Sequence, residues 1–175
     1  MDSGFNDLNV TLRDGRAVHV RAMRKSDEAE ILQAFDRLGP DARYMRFMRV
    51  VREPNLEYLK KALASFPEKG IGIVATVPAA DGIDIVGTAI FVIGSTAPTC
   101  EFAITVASEF GGAGLATTLM TALIDTAKAR GIAEMDGFVL AENKPMLRLA
   151  RRLGFSIAPD PDDRTVCICR LRLGG

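Results

Sequence analysis

Hydrophobic and polar residues alternate in two parts of the chain, and this period of two predicts β-strands. Near the start, residues 10–12 and 17–23 flank an Asp14-Gly15 turn and predict a hairpin. Further on, residues 71–77, 83–93 and 100–106 alternate or are rich in β-branched side chains. Short turn segments separate these three, so we expect an antiparallel meander of three strands.

The apolar period changes to that of a helix after residue 114. Leu115, Leu119, Leu123 and Ala127 recur every four residues and predict a helix that ends near Arg130. A strand should follow at residues 135–140 and a short helix at residues 143–153. A final hairpin should then pair residues 155–157 with 164–173. Because a strand, a long helix and a strand follow one another, the strands at 100–106 and 135–140 should be parallel.

Three earlier helices are predicted at residues 27–38, 41–52 and 55–66. In the first, Ser26 or Asp27 can cap the helix, with Glu30 completing a capping box. The second has an arginine at every third position from 43 to 52, which forms either a solvated face or one wall of a substrate entrance. His19 lies out of phase with the apolar residues of its strand and is interpreted as a surface residue.

A glycine cluster, Gly111-Gly112-Ala113-Gly114, joins the strand at 100–106 to the long helix. Glycines there allow positive φ angles and leave backbone N–H groups facing outward, at the positive end of a helix. This arrangement suits a phosphate, although a tight turn without a ligand is the alternative. The sequence lacks the Lys-Ser or Lys-Thr of a P-loop, and its glycine spacing differs from the dinucleotide fingerprint.

The composition indicates one soluble domain over residues 1–175, with residues 1–8 flexible. Lys plus Arg and Asp plus Glu both number 22, so no net charge favours nucleic acid or anionic membranes. Hydrophobic runs are too short to span a membrane, and no secretion signal is evident. The three cysteines lack metal-ligand spacing, which favours reduced thiols in the cytoplasm and no metal site.

The residues from Gly111 to Ala116 resemble the acetyl-CoA pyrophosphate loop of the GNAT superfamily of N-acetyltransferases, whose pattern is Q/R-x-x-G-x-G/A. Gly114 and Ala116 match the pattern, and Gly111 stands where Gln or Arg is usual. The resemblance extends over nearly the whole chain, including the segment ENKPMLRLARRLGF. It implies the α/β (α+β) GNAT fold, with a mixed, mostly antiparallel sheet of six to seven strands and about four to five flanking helices.

Within the superfamily, the chain is most similar to the acetyltransferase domain of bacterial protein lysine acetyltransferases (Pat-like). The similar segments are LRDGRAVHVRAMRKSD, LGPDARYMRF, EFAITV and LIDTAKARGI. The resemblance therefore implies an acyltransferase that uses acetyl-CoA and acetylates a primary amine, which is a protein lysine in that group. The chain would act as a monomer or a homodimer.

Acyl transfer to an amine requires a group that removes a proton, and Glu101 is the acidic residue of the strand that leads into the glycine loop. The resemblance implies the same role for Glu101. It also implies that the backbone N–H of Val106 donates a hydrogen bond to the thioester carbonyl. It further implies a set of acetyl-CoA-binding residues: Thr105, Val106, Gly111, Gly112, Ala113, Gly114, Leu115, Ala116, Thr117, Asn143 and Met146.

Other functions remain open at this level. Many superfamily members carry a tyrosine acid seven residues after Asn143, where this chain has Ala150. The acceptor could be a small amine rather than a protein lysine. Alternatively, the domain could bind acyl-CoA as a regulatory module without turnover, although such a module has no need for Glu101.

Overall fold

The computed structural model describes residues 5–30, 64–66, 68–80, 82–94, 98–107, 110, 112 and 114–174. These residues contain one sheet of eight strands, slightly more than the six to seven expected from the resemblance. The strands are β1 (Leu8–Thr11), β2 (Ala17–Ala22), β3 (Gly70–Ala79), β4 (Gly82–Ile93), β5 (Thr99–Val106), β6 (Glu134–Leu140), β7 (Ser156–Asp160) and β8 (Asp163–Arg172).

The sheet is mixed and mostly antiparallel, as predicted. Its spatial order is β1-β2-β3-β4-β5-β6-β8-β7, and β5 with β6 is the one parallel pair in the described sheet. A long crossover helix, α1 (Leu115–Ala129), joins these two strands. The predicted parallel arrangement is therefore confirmed, and both strands end at the same edge of the sheet.

The core lies between the sheet and α1. Leu115, Leu119 and Leu123 are completely buried, as their four-residue spacing predicts. Gly87 on β4 allows this close approach, because a Cβ built there would lie 2.9 Å from Cδ1 of Leu119. A second helix, α2 (Lys144–Arg152), begins directly after β6 and packs against β7.

The N-terminal segment differs from the prediction that residues 1–8 are flexible. Leu8 begins β1, where it pairs with Val20, and Phe5 packs against the core. Asp7 Oδ2 lies 3.2 Å from Nε2 of His19. These contacts involve the segment from residue 5, and β1, predicted at residues 10–12, begins two residues earlier, at Leu8. Residues 1–4 lie outside the described part of the chain.

Asp27 directly precedes the helical residues 28–30, as predicted, but its carboxylate bonds to other groups than a helix cap would. It is the third residue of a 3-10 turn, Lys25–Asp27, and its carboxylate accepts a hydrogen bond from the backbone N–H of Arg24. The same carboxylate forms two 2.8 Å hydrogen bonds with the guanidinium of Arg21. Arg24 thus holds the cap position, and Asp27 satisfies its backbone donor from within the turn.

Most of the predicted early helices, over residues 31–63, lie outside the described residues, including the arginine-rich segment. The hairpin between β3 and β4 is tighter than predicted, because pairing continues to Ala79 and Gly82. In the described ranges, no helix combines the length and hydropathy needed to cross a membrane.

Candidate functional site

The glycine cluster forms a tight connection between β5 and α1. Immediately after β5, the N–H of Phe110 donates to the carbonyl of Ala107 at 2.9 Å and turns the chain. Gly112 and Gly114 have φ angles of +77° and +92°, which L side chains rarely adopt. A Cβ at Gly112 would meet no atom within 4 Å, so this part of the loop faces open space. The predicted strand–loop–helix unit is confirmed.

Helix α1 begins without a side chain that accepts a hydrogen bond from its first backbone N–H groups. Gly114 is the cap residue, and the first turn contains no acidic residue and no side-chain cap. Thr118, rather than Thr117, bonds back to the loop, with both its N–H and Oγ1 donating to the carbonyl of Gly114. Among the described residues, none accepts a hydrogen bond from the N–H groups of Leu115, Ala116 and Thr117. These donors and the helix dipole favour an anion.

The parallel strands β5 and β6 separate beside this loop. Their pairing covers Thr99 with Glu134, Cys100 with Met135 and Glu101 with Asp136, and it stops there. Both strands nevertheless continue, β5 to Val106 and β6 to Leu140. Beyond Glu101, a gap therefore opens between the two strands toward the edge that carries the glycine loop. We call this feature the β5–β6 gap.

The backbone of β5 presents hydrogen-bonding groups to the β5–β6 gap. The carbonyl of Thr99 accepts from the N–H of Gly94, the residue after β4, and the N–H of Ala107 donates to Val86 on β4, both at 2.9 Å. Because these groups alternate sides along a strand, the N–H groups of Ile104 and Val106 point away from β4, into the gap. No described residue accepts from either of them. An extended ligand could pair with this edge as an added strand does.

Phe102 fills the point where the two strands separate. Its ring lies over Gly137 on β6, so that a Cβ built at Gly137 would overlap the ring. The ring also makes an edge-on contact with Phe155, with centroids 5.3 Å apart. Phe102 is 2% exposed and has little freedom to move aside. The pairing between β5 and β6 ends at the residue before this ring, which indicates that Phe102 wedges the strands apart.

A test of the wedge follows from this contact. Gly137→Ala should destabilise the fold by about 1–3 kcal/mol, because the added methyl group overpacks against Phe102. Urea unfolding monitored by circular dichroism measures the change. The double variant Gly137→Ala with Phe102→Leu should recover part of the loss, since the smaller side chain frees space. An equal loss in the single and double variants would contradict the proposed contact.

Glu101 lies on the face of the sheet opposite α1. Phe102 and Ile104 are buried toward α1, so the alternation of β5 directs Glu101 and Thr105 to the other face. Glu101 is exposed and occupies the last paired rung before the β5–β6 gap. Its partner on that rung, Asp136, accepts a hydrogen bond from Nε of Arg170 at 3.1 Å. The predicted base therefore stands at the mouth of the gap, beside a second carboxylate.

Asn143 caps α2, as its position in the sequence predicts. Its Oδ1 accepts a hydrogen bond from the N–H of Met146 at 3.4 Å. Asn143 lies three residues after the end of β6, which ends at the same edge as β5, so Asn143 and the glycine loop flank the β5–β6 gap. Ala150, in the position that a tyrosine acid would occupy, is completely buried.

The structure brings most of the predicted site residues to the β5–β6 gap, with Glu101 at its inner end and the glycine loop at the sheet edge. Glu101 and Val106 lie on β5, Gly112 and Gly114 in the loop, Ala116 and Thr117 in the first turn of α1, and Asn143 and Met146 at the start of α2. Leu115 is buried in the core, so that only its backbone can contact a ligand. The backbone of Thr105 faces β4, which leaves its side chain for such a contact. Gly111 and Ala113 lie outside the described residues.

Two features of this site were not evident from the sequence. The contact between Phe102 and Gly137 joins residues that are distant in the sequence, and a lone glycine in a strand is the one signal of it. The approach of Arg13 to the glycine loop is the other, with Nε 3.2 Å from a Cβ built at Gly114. Nothing in the hairpin sequence indicates which element its turn will contact.

The arrangement fits an acyl donor that has an extended arm and a phosphate-bearing end. The exposed N–H groups of α1 and the glycine backbone suit phosphate, and the free edge of β5 suits an amide-containing arm. Across the described ranges, no three His, Cys, Asp or Glu side chains are grouped so that they could hold a metal ion.

Comparison with known proteins gives a consistent picture. A family model described as an acetyltransferase (GNAT) domain matches residues 18–156. An acetyltransferase of Pseudomonas aeruginosa is 33% identical over 163 residues, which cover 93% of this chain and 88% of that protein.

Two solved structures show the same fold. The GNAT domain of PAT from S. lividans superposes with a TM-score of 0.82 at 20% identity, over 95% of this chain and 97% of that one. A putative acetyltransferase of Salmonella typhimurium, solved with its cofactor acetyl-CoA, gives 0.71 at 20% identity, over 91% and 95% of the two chains.

Proposed function

Because this chain belongs to the GNAT acetyltransferase family, we propose that it transfers the acetyl group of acetyl-CoA to the side chain of a protein lysine, with Glu101 as general base. The observation that supports this most directly is the position of Glu101. Its exposed side chain stands on the last paired rung of β5 and β6, where the β5–β6 gap begins. A carboxylate at the end of a gap that binds the donor can take a proton from an amine that approaches from the face of the sheet opposite α1.

Acetyl-CoA supplies the acetyl group as a thioester, and the residues of the β5–β6 gap would hold and orient it. The loop glycines and the first turn of α1 would receive the phosphates, and the N–H groups of Ile104 and Val106 would pair with the arm. The N–H of Val106, predicted to stabilise the thioester carbonyl, points into the gap without a described partner. A preorganised donor of this kind lowers the barrier as negative charge develops on the carbonyl oxygen.

Glu101 would act on the acceptor. A lysine amine with a pKa near 10.4 is neutral in only about one molecule in two thousand at pH 7. A carboxylate that takes its proton leaves the nitrogen lone pair free to form the bond to the acetyl carbon as the carbon–sulfur bond breaks. The thiolate leaves without a tyrosine acid, since its pKa of about 8.5 makes it an adequate leaving group.

The carboxylates nearest to Glu101 on β6 are both paired with Arg170. Asp136 occupies the same rung, and Glu134 lies on the same face of β6, 3.5 Å from Nε of Arg170. The choice of a protein lysine over a small amine rests on the similarity to bacterial protein lysine acetyltransferases.

A cysteine that carries the acetyl group is disfavoured by burial. Cys100 adjoins Glu101 in sequence but is 2% exposed, and burial together with the nearby Asp136 charge raises its thiol pKa to about 12. Burial likewise raises the pKa of Cys169 to about 11. Neither thiol would ionise at neutral pH. Cys100, Cys167 and Cys169 are all free, in accord with the cytoplasmic location that we also propose.

The proposal is tested by measuring thiol release from acetyl-CoA with different acceptors. We expect release with lysine-containing peptides whose α-amines are blocked, and mass spectrometry should find one acetyl group on the lysine. The same peptides with arginine in place of lysine serve as controls. Release with spermidine or free amino acids alone would instead indicate a small-molecule acetyltransferase. Binding of acetyl-CoA without release for any acceptor would indicate a regulatory module.

A further inference from the structure

The turn between β1 and β2, residues 12–16, packs against the glycine loop. Leu12 is buried, and its N–H donates to the carbonyl of Arg16 at 2.8 Å, which closes the turn. The guanidinium of Arg16 stacks over the ring of Phe110, with 3.8 Å between its Cζ and the ring centroid. Arg16 also donates from Nε to Asp14 at 2.8 Å. These contacts fix the turn beside the loop.

Arg13 extends from this turn to the N-terminal end of α1. Its Nε would lie 3.2 Å, and its Nη2 3.6 Å, from a Cβ built at Gly114, the cap residue of the helix. Arg13 is exposed, unlike Arg16, and it forms no ion pair or hydrogen bond within the described ranges. Its guanidinium lies at the loop, and among the described residues none is recorded as its hydrogen-bond or ion-pair partner.

Arg13 places a positive charge beside the N-terminal end of α1. The N-terminus of α1 carries the positive end of the helix dipole and has no acidic residue in its first turn. A guanidinium at the same point adds a like charge. The segment from residue 70 to residue 127 contains no lysine or arginine, so the loop and the helix start supply no cation of their own. Arg13 is thus a cation brought to the loop from a distant part of the sequence.

We infer that Arg13 is a ligand for a phosphate group of the acyl donor and recognises the nucleotide end of coenzyme A. The inference extends the proposed function, because it assumes that the glycine loop receives those phosphates. A guanidinium matches phosphate with two parallel N–H donors, which strengthens and orients the contact. Donors that lack phosphate gain nothing from Arg13, so this residue sets the preference of the enzyme for a nucleotide-bearing donor.

Equilibrium binding tests the inference independently of catalysis. Arg13→Ala should raise the Kd of coenzyme A about tenfold, the loss that corresponds to one charge-assisted hydrogen bond. Arg13→Lys should retain part of the affinity, since it keeps the charge but not the paired donors. Arg172→Ala, which removes an exposed arginine at the other end of the sheet, is the matched control and should leave the Kd unchanged.

Two truncated ligands identify the phosphate. If Arg13 binds the diphosphate, Arg13→Ala should weaken the binding of coenzyme A and of dephospho-coenzyme A equally. A loss of affinity for coenzyme A alone would assign Arg13 to the 3′-phosphate. S-acetylpantetheine, which has no phosphate, should bind wild type and variant alike by ligand-observed NMR.

Three outcomes would overturn the inference. They are an unchanged Kd of coenzyme A in Arg13→Ala, an equal loss of affinity for S-acetylpantetheine, and no binding of coenzyme A to the wild type. A wild type that binds coenzyme A through Arg13 but never transfers acetyl groups would sink the proposed function alone.

Discussion

Glu101→Gln should lower kcat for lysine acetylation by roughly two to four orders of magnitude, the range that general base catalysis contributes. The substitution keeps the shape of the side chain and removes its ability to take a proton. The protonated amine then carries a penalty of roughly 4.6 kcal/mol at pH 7, which wild-type Glu101 offsets in large part. Steady-state kinetics at saturating acceptor peptide measure the loss.

Three further measurements distinguish a lost base from a damaged site. The Kd of acetyl-CoA should stay within about twofold of wild type, because Glu101 lies at the opposite end of the β5–β6 gap from the phosphate loop. The rate of Glu101→Gln should rise about tenfold per pH unit from pH 7 to 9, as the neutral fraction of the amine grows. Asp125→Asn, which removes an exposed carboxylate from α1, should leave kcat unaffected. Unaltered turnover in Glu101→Gln at pH 7 would show that another group, or solvent, accepts the proton.

The sequence predicts those parts of the fold that depend on local patterns. The alternation at residues 100–106, the four-residue spacing from Leu115 and the glycines between them define the strand, loop and helix. Asn143 is predicted as a cap from its residue type and confirmed by its hydrogen bond to Met146. The parallel pairing of β5 and β6 follows from the crossover between them. Local propensity and connection length therefore suffice to place the candidate site at one sheet edge.

Contacts between distant segments account for what the sequence does not predict. The β5–β6 gap depends on Phe102 meeting Gly137, and neither residue identifies the other in a single sequence. Arg13 is one of many arginines until the hairpin turn is docked on the loop. Asp27 precedes helical residues, as its residue type predicts, but its carboxylate pairs with Arg21 on the preceding strand. In each case the deciding energy comes from tertiary packing, which overrides local preference.

The Arg21–Asp27 pair is the other place where a single substitution should have a large effect, here on stability. The two residues are 8% and 6% exposed, and both carboxylate oxygens bond to the guanidinium at 2.8 Å. Burial alone would raise the pKa of Asp27, but the Arg21 guanidinium and the Arg24 N–H outweigh it and hold that pKa below its ordinary value. Asp27 is therefore ionised in the folded protein at neutral pH.

Asp27→Asn should destabilise the fold by about 3–5 kcal/mol at pH 7, because it leaves the Arg21 charge buried without its partner. Replacing both residues, as in Arg21→Met with Asp27→Leu, should recover most of the loss, since no unpaired charge remains. Urea unfolding gives the free energies. Loss of the same size in the single and double variants would mean that packing, and not the charge, dominates.

The pH dependence of this difference provides an independent check. Since the folded-state pKa of Asp27 is lowered, its stabilising contribution is present above the unfolded value of about 3.9 and disappears as the pH falls through the folded value. The difference in unfolding free energy between wild type and Asp27→Asn should thus be constant from about pH 7 to pH 5 and become smaller below about pH 4. Other carboxylates titrate alike in both proteins and cancel. A free-energy difference that grows on acidification would require Asp27 to be protonated in the folded state, contrary to its two hydrogen bonds with Arg21.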